Sequence, residues 1–93
     1  DISIQKKALM ATISFAVATL NHPDKLVPAV QDLGVRHGQY GITAAHYGTV
    51  GAALLWTLEQ GLGEAWTKES KEAWTEVYGI LSSTMIESAA SAA

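Results

Sequence analysis

Three histidines carry most of the chemistry that this 93-residue sequence could perform, and they lie at positions 22, 37 and 46. A neutral imidazole can bind a metal ion through one ring nitrogen, or exchange a proton near neutral pH. His22 lies beside Pro23, so we expect a solvated turn residue. His46 lies beside Tyr47 at the start of a helical segment, where we expect a partly exposed side chain. His37 is therefore the strongest candidate for a ligand.

His37 ends a short amphipathic segment and shares its apolar face with Val30 and Leu33. A histidine in that setting is more often structural than a metal ligand, so its neighbours decide the interpretation. A metal-binding imidazole needs an acceptor for its second ring nitrogen, because that bond orients the ring. A backbone carbonyl one turn back, near Leu33, could be this acceptor, and Tyr47 could place its hydroxyl near the same ring. Alternatively, Tyr47 is an ordinary tyrosine at the edge of the core.

Other common site chemistries have no motif in this sequence. It contains no glycine-rich phosphate loop, no His-Glu-x-x-His pair and no nucleophile elbow, and its carboxylates are scattered over the polar faces of the segments. It has no cysteine, which excludes disulfides, zinc–thiolate sites and iron–sulfur ligation. The net charge is −3 and the six basic residues form no continuous stripe, so we expect no nucleic-acid partner.

The composition predicts one small, unusually apolar domain spanning residues 1–93. Hydrophobic residues make up 48% of the chain and charged residues 16%, which excludes intrinsic disorder. Such an apolar share is high for a small monomer. We therefore expect part of the surface to be covered by a cofactor, by another subunit or by a further part of the same protein.

The sequence predicts four helices, which position the candidate site residues. No segment shows the alternating apolar and polar residues of a strand. Thr43 and Thr67 are the expected N-caps of the third and fourth helices, and Gly34 is expected to weaken the middle of the second. The predicted helices run from about Ile2 to Leu20, Lys25 to Gln39, Ala44 to Leu62 and Lys68 to Ala90.

The stretch from Gly38 to Leu58 requires a test for membrane insertion, because its 21 residues include no Asp, Glu, Lys or Arg. It also contains four glycines, three threonines and two tyrosines, and its first third has the composition of a turn. We therefore expect no membrane span. The chain shows no signal-peptide pattern, and we expect a cytoplasmic location.

A series of spaced motifs identifies a family resemblance over most of the chain, from about Gln5 to Ile86. The series resembles the second half of bacterial single-domain haemoglobins and of the globin domain of flavohaemoglobins, and also the neuroglobin-like branch of animal globins. The motifs are Leu26-Val27-Pro28-Ala29-Val30, Val35-Arg36-His37, His46-Tyr47-Gly48-Thr49-Val50-Gly51, Leu54-Leu55, Leu62-Gly63, Ala73-Trp74 and Tyr78-Gly79.

The resemblance implies an all-α, truncated globin-like bundle whose four main helices correspond to the E, F, G and H helices, without the A to D helices. It implies that His37 is the proximal ligand of haem b, iron protoporphyrin IX. Leu33 and Tyr47 would then orient the imidazole. The absent helices imply a cover over the exposed helical faces, which could be a second copy in a homodimer, a partner chain or a preceding segment.

The distal side and the bound ligand also follow from the resemblance. Gln5 matches a distal glutamine that can donate to a bound diatomic gas such as O2, NO or CO, and Leu9 matches an apolar distal residue. Val50 is expected to contact the cofactor. Taken without the resemblance, Gln5 is a solvated first-turn residue.

One departure concerns the late glutamate that flavohaemoglobin-like members bond to the tyrosine matching Tyr47. Ala89 occupies that position here. Glu87 lies two residues earlier, about 200° around a helix, and cannot replace it. We therefore expect ligand binding, sensing or a redox role rather than enzymatic turnover. The alternatives are a haem-free globin-like structural or interaction subunit and the globin fragment of a nitric-oxide dioxygenase, which would need a flavin domain.

Overall fold

The computed structural model describes residues 2–92 and contains four α-helices joined by short turns. Within these residues there is no strand, so the predicted all-α architecture is confirmed. The elements are α1 (Ile2–Ala18), α2 (Pro23–Gln39), α3 (Ala44–Leu62), a short 3₁₀ turn (Gly63–Ala65) and α4 (Lys68–Ala92).

The helix ends follow the local chemistry of the sequence. The Thr43 N–H donates to His46 Nδ1 at 2.9 Å at the start of α3, and Thr67 Oγ1 accepts the Ser70 N–H at 3.1 Å at the start of α4. Both predicted caps are therefore confirmed. The predicted start of α2 was two residues too late, because Pro23 occupies its first turn, where a missing N–H costs nothing.

Two glycines bring α2 close to α4. A β-carbon on Gly34 would lie 2.5 Å from the Met85 Cα, and one on Gly38 would lie 2.8 Å from the Ala89 Cβ. The two glycines are four residues apart, so they face the same side of α2. Gly34, which the sequence suggested as a weak point, is instead buried in this helix crossing.

The packed interior of the described chain is small. Its buried apolar residues are Ala16, Val30 and Met85. Much apolar surface is left exposed instead, and covering it with a ligand or another chain would be favourable by about 25 cal/mol for each Å² buried. The large apolar residues left exposed are Ile2, Ile4, Leu9, Met10, Phe15, Val17, Leu20, Val27, Tyr40, Ile42, Val50, Trp56, Leu62 and Ile80.

Many of these exposed side chains belong to α1. This helix has no extended packing interface with any other helix in residues 2–92, whereas α2 and α3 both pack against α4. None of the helices within residues 2–92 has the length and apolar character needed to cross a membrane. The charge-free stretch is divided between the end of α2, a turn and α3.

Candidate functional site

The half-buried His37 side chain is held by the helix that carries it. Its Nδ1 lies 2.9 Å from the backbone carbonyl oxygen of Leu33, one turn back in α2. A carbonyl oxygen can only accept a hydrogen bond, so Nδ1 carries the hydrogen. In the neutral ring, Nε2 then keeps its lone pair and is the nitrogen available to a metal.

Tyr47 is the second residue against this imidazole. The two ring centroids are 6.2 Å apart and the ring planes are inclined by 25°, so the rings are stacked. Of the described residues, only Leu33 offers the His37 ring a hydrogen-bond partner. The Tyr47 ring, rather than its hydroxyl, is therefore the part of this side chain that lies beside the imidazole.

Tyr78 joins α4 to this part of α3. Its hydroxyl donates to the Tyr47 backbone carbonyl at 2.6 Å, and a β-carbon on Gly51 would lie 2.5 Å from the Tyr78 Cε2. Burial raises the pKa of the Tyr47 hydroxyl. Burial, and secondarily the charge of Tyr47, raises the pKa of the Tyr78 hydroxyl. Tyr78 therefore keeps the proton that it donates at neutral pH.

From the sequence, Tyr78 was noted only as part of the Tyr78-Gly79 motif, and this bond was not predicted. The partners are 31 positions apart, so no helical periodicity relates them. A usable signal was the large ring on α4 and the small residue Gly51 on the preceding helix, a pairing that allows close helix contact.

The other predicted site residues do not join this group. Gln5 and Leu9 are exposed on α1, one turn apart, and Leu9 is 42% exposed. Val50 follows Tyr47 by one turn of α3 and is 45% exposed. The structure thus brings His37 together with two of its predicted neighbours, while the distal residues and Val50 stay predictions.

The carboxylates of the described chain keep away from the imidazole. Within residues 2–92, the ion pairs are Arg36 with Asp32 at 3.2 Å and Lys68 with Glu72 at 4.0 Å. Glu87 is exposed in a shallow groove on α4 and does not substitute for a carboxylate at position 89.

A single oriented imidazole suits a metal that already carries most of its ligands better than a free ion that several side chains must hold. Residues 2–92 contain no cluster of three or more His, Cys, Asp or Glu side chains that could hold a free ion. A metal at His37 must therefore bring most of its own ligands, as an iron porphyrin does. The helix that carries Tyr47 also exposes apolar side chains, among them Val50, Trp56 and Leu62.

The chain therefore combines an all-α fold, one oriented imidazole and exposed apolar helix faces. These features are typical of helical proteins that can hold a planar metal cofactor. The sequence model of the family described as Globin matches residues 1–85. The chain belongs to the globin family, and the resemblance inferred from its motifs is confirmed.

Relatives and one solved structure agree with this family. The flavohemoproteins of Bordetella parapertussis, Bacillus subtilis and Chromobacterium violaceum are 35%, 32% and 37% identical to it over 82, 82 and 83 residues. These matches cover 88% of this chain, which spans about a fifth of each relative's length. The crystal structure of the closed form of the HGbRL globin domain superposes with a TM-score of 0.65 and 39% identity, covering 95% of this chain and 64% of that chain.

Proposed function

We propose that this chain is a haem-binding globin module in which His37 supplies the proximal ligand to the iron of haem b. The observation that carries the proposal is the bond from His37 Nδ1 to the Leu33 carbonyl, which leaves Nε2 free. Membership of the globin family supports it independently.

The residues around His37 would set the direction and the basicity of the imidazole. The Leu33 carbonyl is a neutral acceptor, so the ring donates less electron density to iron than a ring bonded to a carboxylate. The Tyr47 ring, stacked with the imidazole at a centroid distance of 6.2 Å, would help to set the direction in which Nε2 points. Val50, on the same face of α3 as Tyr47, would offer apolar contact to the cofactor.

The proposed ligand of the module is a diatomic gas, O2, NO or CO, bound to the iron that haem supplies. Gln5 and Leu9 lie four residues apart in α1 and so share a face. The Gln5 amide can donate a hydrogen bond to a polar bound ligand, and Leu9 can restrict access. The module would act in ligand binding, sensing or redox chemistry in the cytoplasm.

We further propose that a homodimer contact or a partner chain covers the exposed helical faces. The exposed apolar residues of α1 are the reason, because a monomer rarely leaves so large a patch in water. The same exposure favours the alternative function, a haem-free structural or interaction subunit. The oriented imidazole opposes that alternative, because a purely structural helix needs no free Nε2.

A nitric-oxide dioxygenase fragment is the remaining alternative, since the curated relatives are flavohemoproteins. Ala89 counts against it, because no described carboxylate pairs with the groups beside His37.

Titration of the metal-free protein with haemin tests the proposal. We expect a Soret band that saturates at one haem per chain in the native protein and in His22→Ala, a matched control that removes an exposed imidazole from the turn before α2. We expect His37→Ala to lose the band or bind haem at least tenfold more weakly, with recovery on addition of free imidazole. Unchanged haem affinity in His37→Ala would refute the ligand assignment. Absence of a Soret band in the native protein would favour the haem-free alternative.

A further inference from the structure

The imidazole of His46 takes part in the N-terminal cap of α3. Its Nδ1 lies 2.9 Å from the Thr43 backbone nitrogen and 3.2 Å from Thr43 Oγ1. A backbone N–H can only donate a hydrogen bond, so Nδ1 accepts it and carries no hydrogen of its own. The hydrogen of the neutral His46 ring therefore lies on Nε2. His37 is the opposite case, because its Nδ1 donates to the Leu33 carbonyl.

Histidine makes this cap dependent on a proton. Thr43 is the N-cap of α3, and His46 is the third residue of the helix. The common capping box has Glu or Gln at this position, with a side-chain oxygen that accepts the N–H of the N-cap residue. A glutamine oxygen stays an acceptor at any pH, whereas an imidazole nitrogen that binds a proton becomes a donor. Protonation of His46 therefore removes the acceptor for the Thr43 N–H.

The position of His46 along the helix adds to this effect. The amino-terminal end of a helix carries a partial positive charge, so a cation in the first turn is unfavourable. The first turn of α3 contains no acidic residue, and Glu59 and Glu64 lie near or beyond the other end of the helix. The lost hydrogen bond and the helix dipole thus both disfavour a protonated His46 in the folded chain.

The groups that face His46 from other elements do not offset such a charge. From α4, Tyr78 meets this end of α3, and burial raises the pKa of its hydroxyl, so it is neutral in acid. On α2, Arg36 is paired with Asp32, and the turn between α2 and α3 carries the exposed Tyr40. The charged residues of α4 are Lys68, Glu69, Lys71, Glu72, Glu76 and Glu87. None of these carboxylates pairs with His46 within residues 2–92.

We propose that His46 is a pH-sensitive cap, which holds the first turn of α3 when its ring is neutral and releases that turn when the ring is protonated. The Thr43 carbonyl accepts the N–H groups of His46 and Tyr47, at 3.0 and 3.3 Å. Release of Thr43 therefore loosens the turn that carries Tyr47. The unfolded chain lacks the cap and binds the proton more readily, so the free energy of unfolding falls as pH drops from about 8 to about 5.

The first measurement uses the metal-free protein. Nuclear magnetic resonance of the ring nitrogens at about pH 8 should find the hydrogen on Nε2 in His46 and on Nδ1 in His37. On acidification to about pH 5, the protection of the Thr43 amide against hydrogen exchange, relative to an unstructured chain, should fall about fivefold. A hydrogen on Nδ1 of His46, or Thr43 protection independent of pH, would overturn the proposal.

The decisive variant is His46→Gln, which keeps an acceptor in the cap and binds no proton in this range. Its equilibrium constant for unfolding in urea, relative to that of the native protein, should fall about fivefold between about pH 8 and pH 5. His22→Gln, which removes an exposed imidazole that makes no side-chain cap bond, should show no such change. His46→Ala lacks the acceptor at both pH values and should be the less stable of the two His46 variants at each. A ratio independent of pH for His46→Gln would refute the cap.

The second measurement uses the haem-loaded protein, and this part rests on the proposed function. We expect acidification to accelerate haem loss up to about fivefold more in the native protein than in His46→Gln, because the released turn carries Tyr47. Equal acceleration in the two proteins would overturn the link between the cap and the haem site. If the native protein bound no haem, the proposed function would fail, while hydrogen exchange and urea denaturation would still decide the role of His46.

Discussion

The methyl group of Ala89 lies in the space that a side chain on Gly38 would need, with 2.8 Å between that methyl group and a β-carbon built on the glycine. This contact places α4 directly against the residue that follows His37 in the sequence. The position of the imidazole therefore depends on the smallness of both residues.

We expect Gly34→Ala to lower the free energy of unfolding by about 1–3 kcal/mol, because the added methyl group would meet the backbone of Met85. Gly38→Ala should cost less, since its neighbour is a side-chain methyl group. The matched control is Gly48→Ala, where nothing lies within 4 Å of the added carbon. It should stabilise α3 by up to about 1 kcal/mol. Urea denaturation followed by circular dichroism measures all three, and equal effects at positions 34 and 48 would contradict the packing argument.

The stacking of His37 and Tyr47 predicts that the ring of Tyr47 matters more than its hydroxyl. Tyr47→Phe should keep haem affinity within about twofold of the native value, whereas Tyr47→Leu should lower it by about tenfold. Competition for haemin with apomyoglobin measures both affinities. The reverse order would show that a hydroxyl contact, absent from the geometry described above, orients the imidazole.

The raised pKa values of the two site tyrosines predict a loss of stability in alkali. Burial raises the pKa of Tyr47 above its ordinary value of 10.0, and burial with the Tyr47 charge raises that of Tyr78. Around and above the ordinary tyrosine pKa of 10.0, the unfolded chain binds fewer protons than the folded chain, so the free energy of unfolding falls as pH rises. Well below that value both tyrosines are neutral in the folded and the unfolded chain, and their contribution to stability is fully present.

Chemical denaturation between about pH 9 and pH 11 measures this dependence. We expect the native protein to lose stability more steeply with pH than Tyr78→Phe, which lacks one of the two groups. Parallel curves for the two proteins would show that Tyr78 does not take part.

The distal assignment predicts selective effects of Gln5 on polar ligands. Gln5→Leu removes the amide donor, so we expect O2 to dissociate about tenfold faster, in line with the loss of one hydrogen bond. Carbon monoxide, a weaker acceptor, should dissociate at nearly the native rate. Flash photolysis and stopped-flow mixing give these rates, with Lys6→Ala as the control on the same turn of α1. Equal acceleration for both gases would point to general opening of the site instead.

The exposed face of α1 predicts self-association. Met10 and Val17 are seven residues apart on one face of α1 and are 57% and 53% exposed. We expect a dimer in sedimentation equilibrium and a monomer in the variant Met10→Glu/Val17→Glu. Thr75→Glu, which adds a carboxylate to an exposed position of α4, should remain dimeric. A native protein that stayed monomeric at high concentration would rule out the homodimer.

Periodicity and capping chemistry predicted most of the fold. Both ends of α3 were located from the sequence, because Thr43 is its N-cap and Gly63 is its C-cap. The start of α2 was misplaced because Pro23 was assigned to the turn that contains His22, although a proline is well suited to a first turn. The acceptor for His37 was predictable because it lies one turn back in the same helix.

Contacts between helices could not be predicted in the same way. The bond from Tyr78 to the Tyr47 carbonyl depends on the crossing of α3 and α4, which single-helix periodicity does not specify. For the same reason Gly34 was interpreted through its poor helix propensity rather than through the neighbour it meets.

The isolation of α1 makes the two sides of the proposed haem site mechanically unequal. The iron side is built on α2, α3 and α4, where α2 and α3 each pack against α4 through glycine contacts and cross-helix bonds. The gas side is a single helix joined to the rest by the short turn from Thr19 to His22. Binding of a gas molecule would therefore move α1 and leave the iron side in place. A neighbouring protein in contact with α1 would respond to that movement.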